Sequence, residues 1–377
     1  MRRDWRWIRR LPMFLAICIA ITPGPPLAQN VRDTATRYDV RIGVLGLFHP
    51  REFIVRAMDG QALVLHADDQ SVTLEASSGL NVANVTITDS IISLKAGTRA
   101  ILASKVIVTD RSGEPVDFIL GVRGKISRHY RGTLEIMPSG DQLIAVITMD
   151  RETAVASIVA AESAVDAPLE ALKAQAVAAR SYLVSSQGRH SEFDFCDTTH
   201  CQFLREPPSD DSPSARAAAA TEGLVLAYNT KPFAAMYTRS CSGHTRTPAQ
   251  VGLRGGTYPY YSVECKHCIA HLARWTTRLS SADAAGLRSS DESARLHIAR
   301  RLGWSAVPSN DFVEKKIGDQ IVLQGSGYGH GIGLCQAGAK AMAESGAGFL
   351  EILNHYYPNT EIIHWKGNFP LQSTAAK

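Results

Sequence analysis

Outside its first 28 residues this 377-residue chain lacks any net charge. Those 28 hold five arginines (Arg2, Arg3, Arg6, Arg9, Arg10) and one acid (Asp4), which account for the whole net charge of +4; the remainder carries 35 bases and 35 acids. A neutral body argues against electrostatic binding of nucleic acid. No apolar run approaches the ~20 residues of a membrane-spanning helix. There is no Gly-x-Ser-x-Gly nucleophile elbow and no His-Glu-x-x-His metalloprotease signature. The glycine-dense stretch from Gly325 to Gly333 lacks the Gly-Lys-Ser/Thr ending of a phosphate loop. Internal repeats and low-complexity tracts are absent as well. Cysteine is missing between Cys18 and Cys196.

What is present is enough for a sizeable core. Apolar residues make up 45% and charged residues 20% of the chain, which excludes a disordered or fibrous protein. The length suggests roughly two or three domains. The arginine-rich start, the apolar run from about Leu11 to Ile21 and the following Thr-Pro-Gly-Pro-Pro-Leu-Ala read as an export signal cleaved after Ala28. Export puts the mature chain in the periplasm or cell-wall space, an oxidising setting. Its six cysteines, Cys196, Cys201, Cys241, Cys265, Cys268 and Cys335, then allow up to three disulfides.

Short β-branched runs at Phe53–Val55, Ala62–Leu65, Ser71–Leu74 and Lys105–Thr109, punctuated by Asp59-Gly60 and Ser112-Gly113, predict a small β domain over residues 29–125. A hairpin follows, Gly132–Met137 and Leu143–Ile147. Leu169, Leu172, Ala176, Ala179 and Leu183 recur at helical spacing. Asp166 is placed to cap that helix, and Pro168 suits its first turn. Lys173 and Arg180 lie off the apolar stripe. A second helix is expected over about 213–222, a hairpin over 224–228 and 233–237, and charged helical structure over 276–310. The fold class expected is α+β, mostly β.

Four stretches carry the chemistry. They are Val159-Ala160-Ala161-Glu162 with the following Leu169-Glu170-Ala171-Leu172-Lys173-Ala174-Gln175-Ala176-Val177-Ala178-Ala179-Arg180-Ser181-Tyr182; Cys196-Asp197-Thr198-Thr199-His200-Cys201-Gln202; Ser240-Cys241-Ser242-Gly243-His244-Thr245; and Gly327-Tyr328-Gly329-His330-Gly331-Ile332-Gly333-Leu334-Cys335-Gln336. In this order they resemble the domain of the stage II sporulation protein D family (SpoIID), shared with the LytB amidase enhancers. The resemblance covers roughly residues 125–360 and implies a SpoIID-like catalytic domain over 126–377. The enzymes of that family are peptidoglycan lytic transglycosylases acting on glycan strands stripped of stem peptides. The resemblance also implies a second class of function, a non-enzymatic enhancer working with a cell-wall amidase.

The family's catalytic acid falls on Glu162. By its own sequence Glu162 sits at the mouth of an apolar run, where partial desolvation raises a carboxyl's pKa; a plain helix-surface glutamate is the other reading. Ser163 stands where many relatives have Met. One acid suffices if the muramic C6 hydroxyl is the nucleophile, since ordinary glycosidases need two carboxylates. Asp194 and Asp197 are the rival second carboxylates. His190, Cys196, His200 and Cys201 suit a tetrahedral zinc ion, as some family members carry, while a Cys196–Cys201 disulfide is the alternative. At Cys265 and Cys268 a disulfide is expected, within the pair or to Cys241. Lys173, Arg180, Ser240, His244, Tyr328, His330 and Gln336 are the candidate glycan contacts.

Overall fold

The computed structural model describes residues 39–365, except 187 and 189. The expected export signal lies outside the described residues. Among them, no helix is long and apolar enough to cross a membrane. The architecture is α+β and mostly β, with seven α-helices among the described residues.

The first half alternates with a period of two. Phe53, Val55 and Ala57 are buried, as are Leu63, Leu65 and Ala67, and then Ile92, Leu94 and Ala96, with more exposed residues between them. Such alternation buries one face of a sheet. Twelve strands join into that sheet. Its longest strand, Ile126–Ser139, pairs through its first half with Val116–Val122. Its second half lies between Gln142–Asp150 and Val106–Thr109. The strand bends at Gly132, where φ is +150° and a Cβ would lie 2.4 Å from the Thr148 carbonyl oxygen; only glycine fits there. The turn at Gly124 falls where the sequence suggested a domain boundary, and the strands on either side of it are hydrogen-bonded neighbours.

Helix α1, Arg151–Glu162, follows directly on the last large strand. Asp150 caps it by accepting the Thr153 N–H at 3.0 Å. Sequence reading saw only an apolar run here; Ala154, Val155, Ile158 and Val159 are in fact a helix face sunk in the core. Helix α2, Leu169–Ser185, is the predicted amphipathic helix. Its N-cap is Pro168 rather than Asp166, whose carboxylate is taken by Lys340 Nζ instead. The expected stripe, Leu172, Ala176, Ala179 and Leu183, packs into the core under the large sheet. The opposite face, Ala174, Val177 and Ala178, packs into a second core with Phe233, Tyr258 and Ile352. A helix apolar on all sides is an interior helix.

Helix α3, Pro213–Ala220, is capped by Ser212 and has proline in its first turn. Leu224–Tyr228 then pairs with Lys231–Pro232 and with Glu361–His364. The second arm is shorter than expected because Phe233 turns inward to stack on Tyr258 at 4.4 Å. Tyr237–Thr238 instead pairs in parallel with Leu334–Cys335. Helix α4 is Lys266–Ala270. In the 276–310 region only α5, Glu292–Leu302, is α-helical. The strand Arg274–Ser280 pairs with Gln320–Ser326, which pairs with Phe312–Ile317. This sheet and α5 close a small satellite core around Trp275, Ile298, Phe312 and Leu323. Helices α6, Gln336–Glu344, and α7, Phe349–Tyr356, complete the second core.

Candidate functional site

Glu162 is the last residue of α1. Burial pushes its carboxyl up to about 7 by penalising the charged form. The carbonyl end of the helix acts in the same direction, because its partial negative charge disfavours a carboxylate. Oε1 accepts the Phe203 N–H at 2.6 Å, which fixes the group's orientation. The buried Tyr237 hydroxyl has no well-formed hydrogen bond, yet it lies close enough to the carboxyl to bias its charge. The residue as a whole is only half-buried, at the end of a helix whose face is sunk in the core.

Other groups are fastened to the same spot. Gln336, which opens α6, donates from Nε2 to the Glu162 carbonyl at 3.1 Å and to Gln175 Oε1 at 3.4 Å. Gln175 Nε2, Gln202 Oε1 and Ser163 Oγ are buried with no hydrogen-bond partner. Buried polar groups are rarely left so. Ser163 adjoins Glu162, Gln175 is bonded to the Gln336 that holds the Glu162 carbonyl, and Gln202 directly precedes Phe203, so each is tied to the wall around this carboxyl. Two surface hollows of about 360 and 250 Å³ lie elsewhere, along Gly121–Ser127 and beside Glu152. Glu162 lines neither of these two.

The glycine-dense loop brings its backbone against the protein's own chain. At Gly333 a Cβ would lie 1.9 Å from the Met236 carbonyl oxygen, and at Gly329 it would lie 2.5 Å from Thr238 Oγ1, both at positive φ. His330 is held neutral, its pKa pushed down to about 4 by burial. Its Nδ1 accepts the Ile332 N–H at 3.0 Å, so the ring proton sits on Nε2. Tyr328 is partly exposed with the Arg239 guanidinium over its ring.

The remaining candidates are placed differently. Lys173 is bonded to Glu170 Oε1 at 2.6 Å and lies over the Phe349 ring. Arg180 is fully buried, clasped by Glu152 and bonded to the Ala218 and Leu224 carbonyls. A glycan would reach it only by opening that network. Ser240 is buried against Cys268 Sγ, whereas His244 is exposed and bridges to Glu264 through its backbone. Asp194 accepts the Arg41 N–H. Asp197 accepts the Leu45 N–H and pairs with Arg128, and burial raises it to about 6. Both rival carboxylates are thus engaged elsewhere.

His190, Cys196, His200 and Cys201 come together, their ligating atoms all within 4.8 Å of one another. His200 Nδ1 lies 3.7 Å from Cys196 Sγ and 3.6 Å from Cys201 Sγ, and His190 Nε2 lies 3.4 Å from Cys201 Sγ. The Cys196 thiol is held well below its usual range, chiefly by hydrogen bonding with Cys201. Two imidazoles and two sulfurs at this spacing can hold a metal. The expected disulfides are not formed: the six described cysteines stand as thiols.

Sequence reading missed Tyr237, Gln175, Gln202 and the Phe203 amide. The two glutamines stand inside the quoted motifs, but nothing in a lone Gln distinguishes a packed side chain from an unsatisfied one. Tyr237 is contributed by a two-residue strand whose parallel partner lies about a hundred residues on, and no local pattern announces such a pairing.

Comparison with known proteins places this geometry in context. Residues 139–228 match the SpoIID family, described as stage II sporulation protein. That span contains α1, α2 and the His/Cys cluster, but neither Tyr237 nor the glycine-dense loop. An uncharacterised protein of Brachyspira hyodysenteriae is 29% identical over 63% of this chain and 73% of its own length. Stage II sporulation protein D of Bacillus amyloliquefaciens is 27% identical over 56% of this chain and 73% of its own. The amidase enhancer of Bacillus subtilis is 25% identical over 52% of this chain and only 38% of its own. The matched segment is the one that frames Glu162, and over it the chain is similar to the SpoIID proteins and to an amidase enhancer.

Proposed function

We propose that this protein is a peptidoglycan lytic transglycosylase, exported to the periplasm or cell-wall space, that cleaves the MurNAc–GlcNAc linkage of glycan strands. The observation that carries this is the Glu162 carboxyl, held near neutrality by burial and aimed by the Phe203 amide. A group with that pKa can give a proton and take one back at working pH. Phe203 occupies one carboxyl oxygen, which leaves the other to protonate the glycosidic oxygen as the C1–O bond breaks. The resulting carboxylate takes the proton of the muramic C6 hydroxyl, whose oxygen closes on C1. No water enters, and internal attack benefits from high effective molarity. Tyr328 and His330, half-buried on the glycine-dense loop, and Gln336 are the side chains proposed to meet the sugar.

The product decides between mechanisms. Wild-type protein on peptide-free strands is expected to give fragments with 1,6-anhydroMurNAc ends, one water lighter than hydrolysis products and inert to borohydride. Reducible muramic ends would mean a two-carboxylate hydrolase. The amidase enhancer among the relatives favours a second reading, a non-enzymatic glycan-binding partner of an amidase. Strand binding with no product of either kind would establish that one.

In the same proposal the His190, Cys196, His200 and Cys201 cluster holds zinc. The ion would supply structural cross-linking: Phe203 follows Cys201 by two residues, so fixing the loop fixes the amide that aims Glu162. Cys196→Ser is expected to lower zinc content by about one ion per chain relative to wild type. A Cys196–Cys201 disulfide found by peptide mapping would remove the metal and leave the role of Glu162 standing.

A further inference from the structure

We propose that Cys241, Cys265, Cys268 and Cys335 form a second metal centre, a buried tetrathiolate site for one zinc ion, independent of the glycan-cleaving function. The four sulfurs come from three distant parts of the chain: the loop after Tyr237–Thr238, the start of α4, and the residue that precedes α6. All four residues are buried, and their sulfurs lie within 4.8 Å of one another. Cys268 and Cys335 are 3.6 Å apart. With Zn–S bonds of about 2.3 Å, the edges of a tetrahedral tetrathiolate are about 3.8 Å. A disulfide needs sulfurs about 2.05 Å apart, and pairing them two by two would draw the four into separate couples. A polynuclear iron–sulfur cluster would push them further apart, because its cysteines bind different irons. Sulfurs this mutually close surround one ion.

The surroundings fit a charged thiolate centre. The Cys241 N–H points at Cys335 Sγ at 3.3 Å. The Ser240 hydroxyl lies 3.6 Å from Cys268 Sγ, and the Tyr356 hydroxyl 3.5 Å from Cys265 Sγ. Donors of this kind stabilise the charge of ligating sulfurs and fix their orientation. The helix alongside has also made room: at Gly338 in α6, a Cβ would lie 2.5 Å from Cys265 Sγ and 2.0 Å from Tyr356 Oη. Glycine inside a helix costs about 1 kcal/mol relative to alanine, and here the sulfur cluster explains its presence. Cys335 directly precedes Gln336, which holds the Glu162 carbonyl. The centre therefore ties the Ser240–Thr245 segment and the end of the glycine-dense loop to the wall beside Glu162.

The test uses the full-length exported protein, purified without chelator or reductant, in a Cys196→Ser/Cys201→Ser background that disables the other cluster. Native mass spectrometry and elemental analysis are expected to find one zinc per chain. Cobalt replacing it should show thiolate-to-metal charge transfer and the intense ligand-field bands of a tetrahedral site. Adding Cys268→Ser should reduce the zinc to none; if that variant fails to fold, the cobalt spectrum of the background protein carries the test. A chain lighter by four hydrogens, with two disulfides mapped among these cysteines, would overturn the proposal. So would four alkylatable thiols with no metal after equilibration with zinc, or iron in place of zinc.

Discussion

Glu162→Gln is expected to cleave peptide-free strands about 10²–10⁴-fold more slowly than wild type, the usual worth of general acid–base work. Gln keeps the shape and still accepts the Phe203 N–H, but it carries no transferable proton. The loss should appear in kcat with glycan binding little changed. Turnover within a few-fold of wild type would displace Glu162 from the reaction. The wild type's own pH profile is linked to this. The proton donor must be protonated, so kcat/KM should fall as pH rises through about 7. Stability should move with it. The folded state keeps the Glu162 proton between its ordinary value of 4.5 and about 7, a range in which the unfolded chain has released it. The wild type therefore loses stability as pH rises through that window. Glu162→Gln should escape the loss and melt higher than wild type at pH 8, while the two converge near pH 4. An inactive variant with lower stability at pH 8 would mean that the substitution had damaged the fold.

The second large effect is on folding. Glu152→Ala is expected to destabilise the protein by about 3–5 kcal/mol, toward the lower figure because the carboxylate is 21% exposed. Glu152 meets Arg180 with Nε–Oε1 at 2.8 Å and Nη2–Oε2 at 2.5 Å, and the guanidinium is wholly inside. Without Glu152 that charge keeps only its carbonyl partners and Thr221. Urea unfolding should show a lower midpoint at an unchanged slope. The double change Glu152→Leu/Arg180→Met should recover much of the loss, because it removes the stranded charge. A single variant within 1 kcal/mol of wild type would show that the pair is incidental. Arg180 is thereby a fold-holding residue of α2, which a surface reading of the same arginine did not suggest.

The contrast shows what a sequence can convey here. Strands with a buried residue at every second position, and the helix at 169–185, are local patterns, and they were legible. The same locality made the His190–Cys201 cluster visible, since its motif lies within a short stretch, whereas Glu162 stood out only through the family resemblance, its own neighbours reading as readily as a helix surface. Helix α1 was not seen because its apolar residues abut the strand before it and blur the period. The tetrathiolate was hidden for a different reason. Its ligands span 94 residues between Cys241 and Cys335, and only the fold says that Cys335 belongs with Cys265 and Cys268 and not with the glycines before it. Arg180 was misjudged because α2 has no outer face, a fact set by tertiary packing that periodicity does not record.

That missing outer face has a further consequence. Helix α2 is a party wall: Leu172, Ala176 and Leu183 belong to one core, and Ala174, Val177 and Ala178 to the other. Neither core can open without exposing the wall they share. The two halves should melt together, and the amides from Ala174 to Leu183 should exchange with solvent only when the whole unit unfolds. Cutting the chain after Tyr228 would keep the helix and the segment that matches the SpoIID family, but it would leave a stripe of small apolar residues facing water. Such a fragment is expected to associate or precipitate, and its residues would fold only in the company of the 149 that follow.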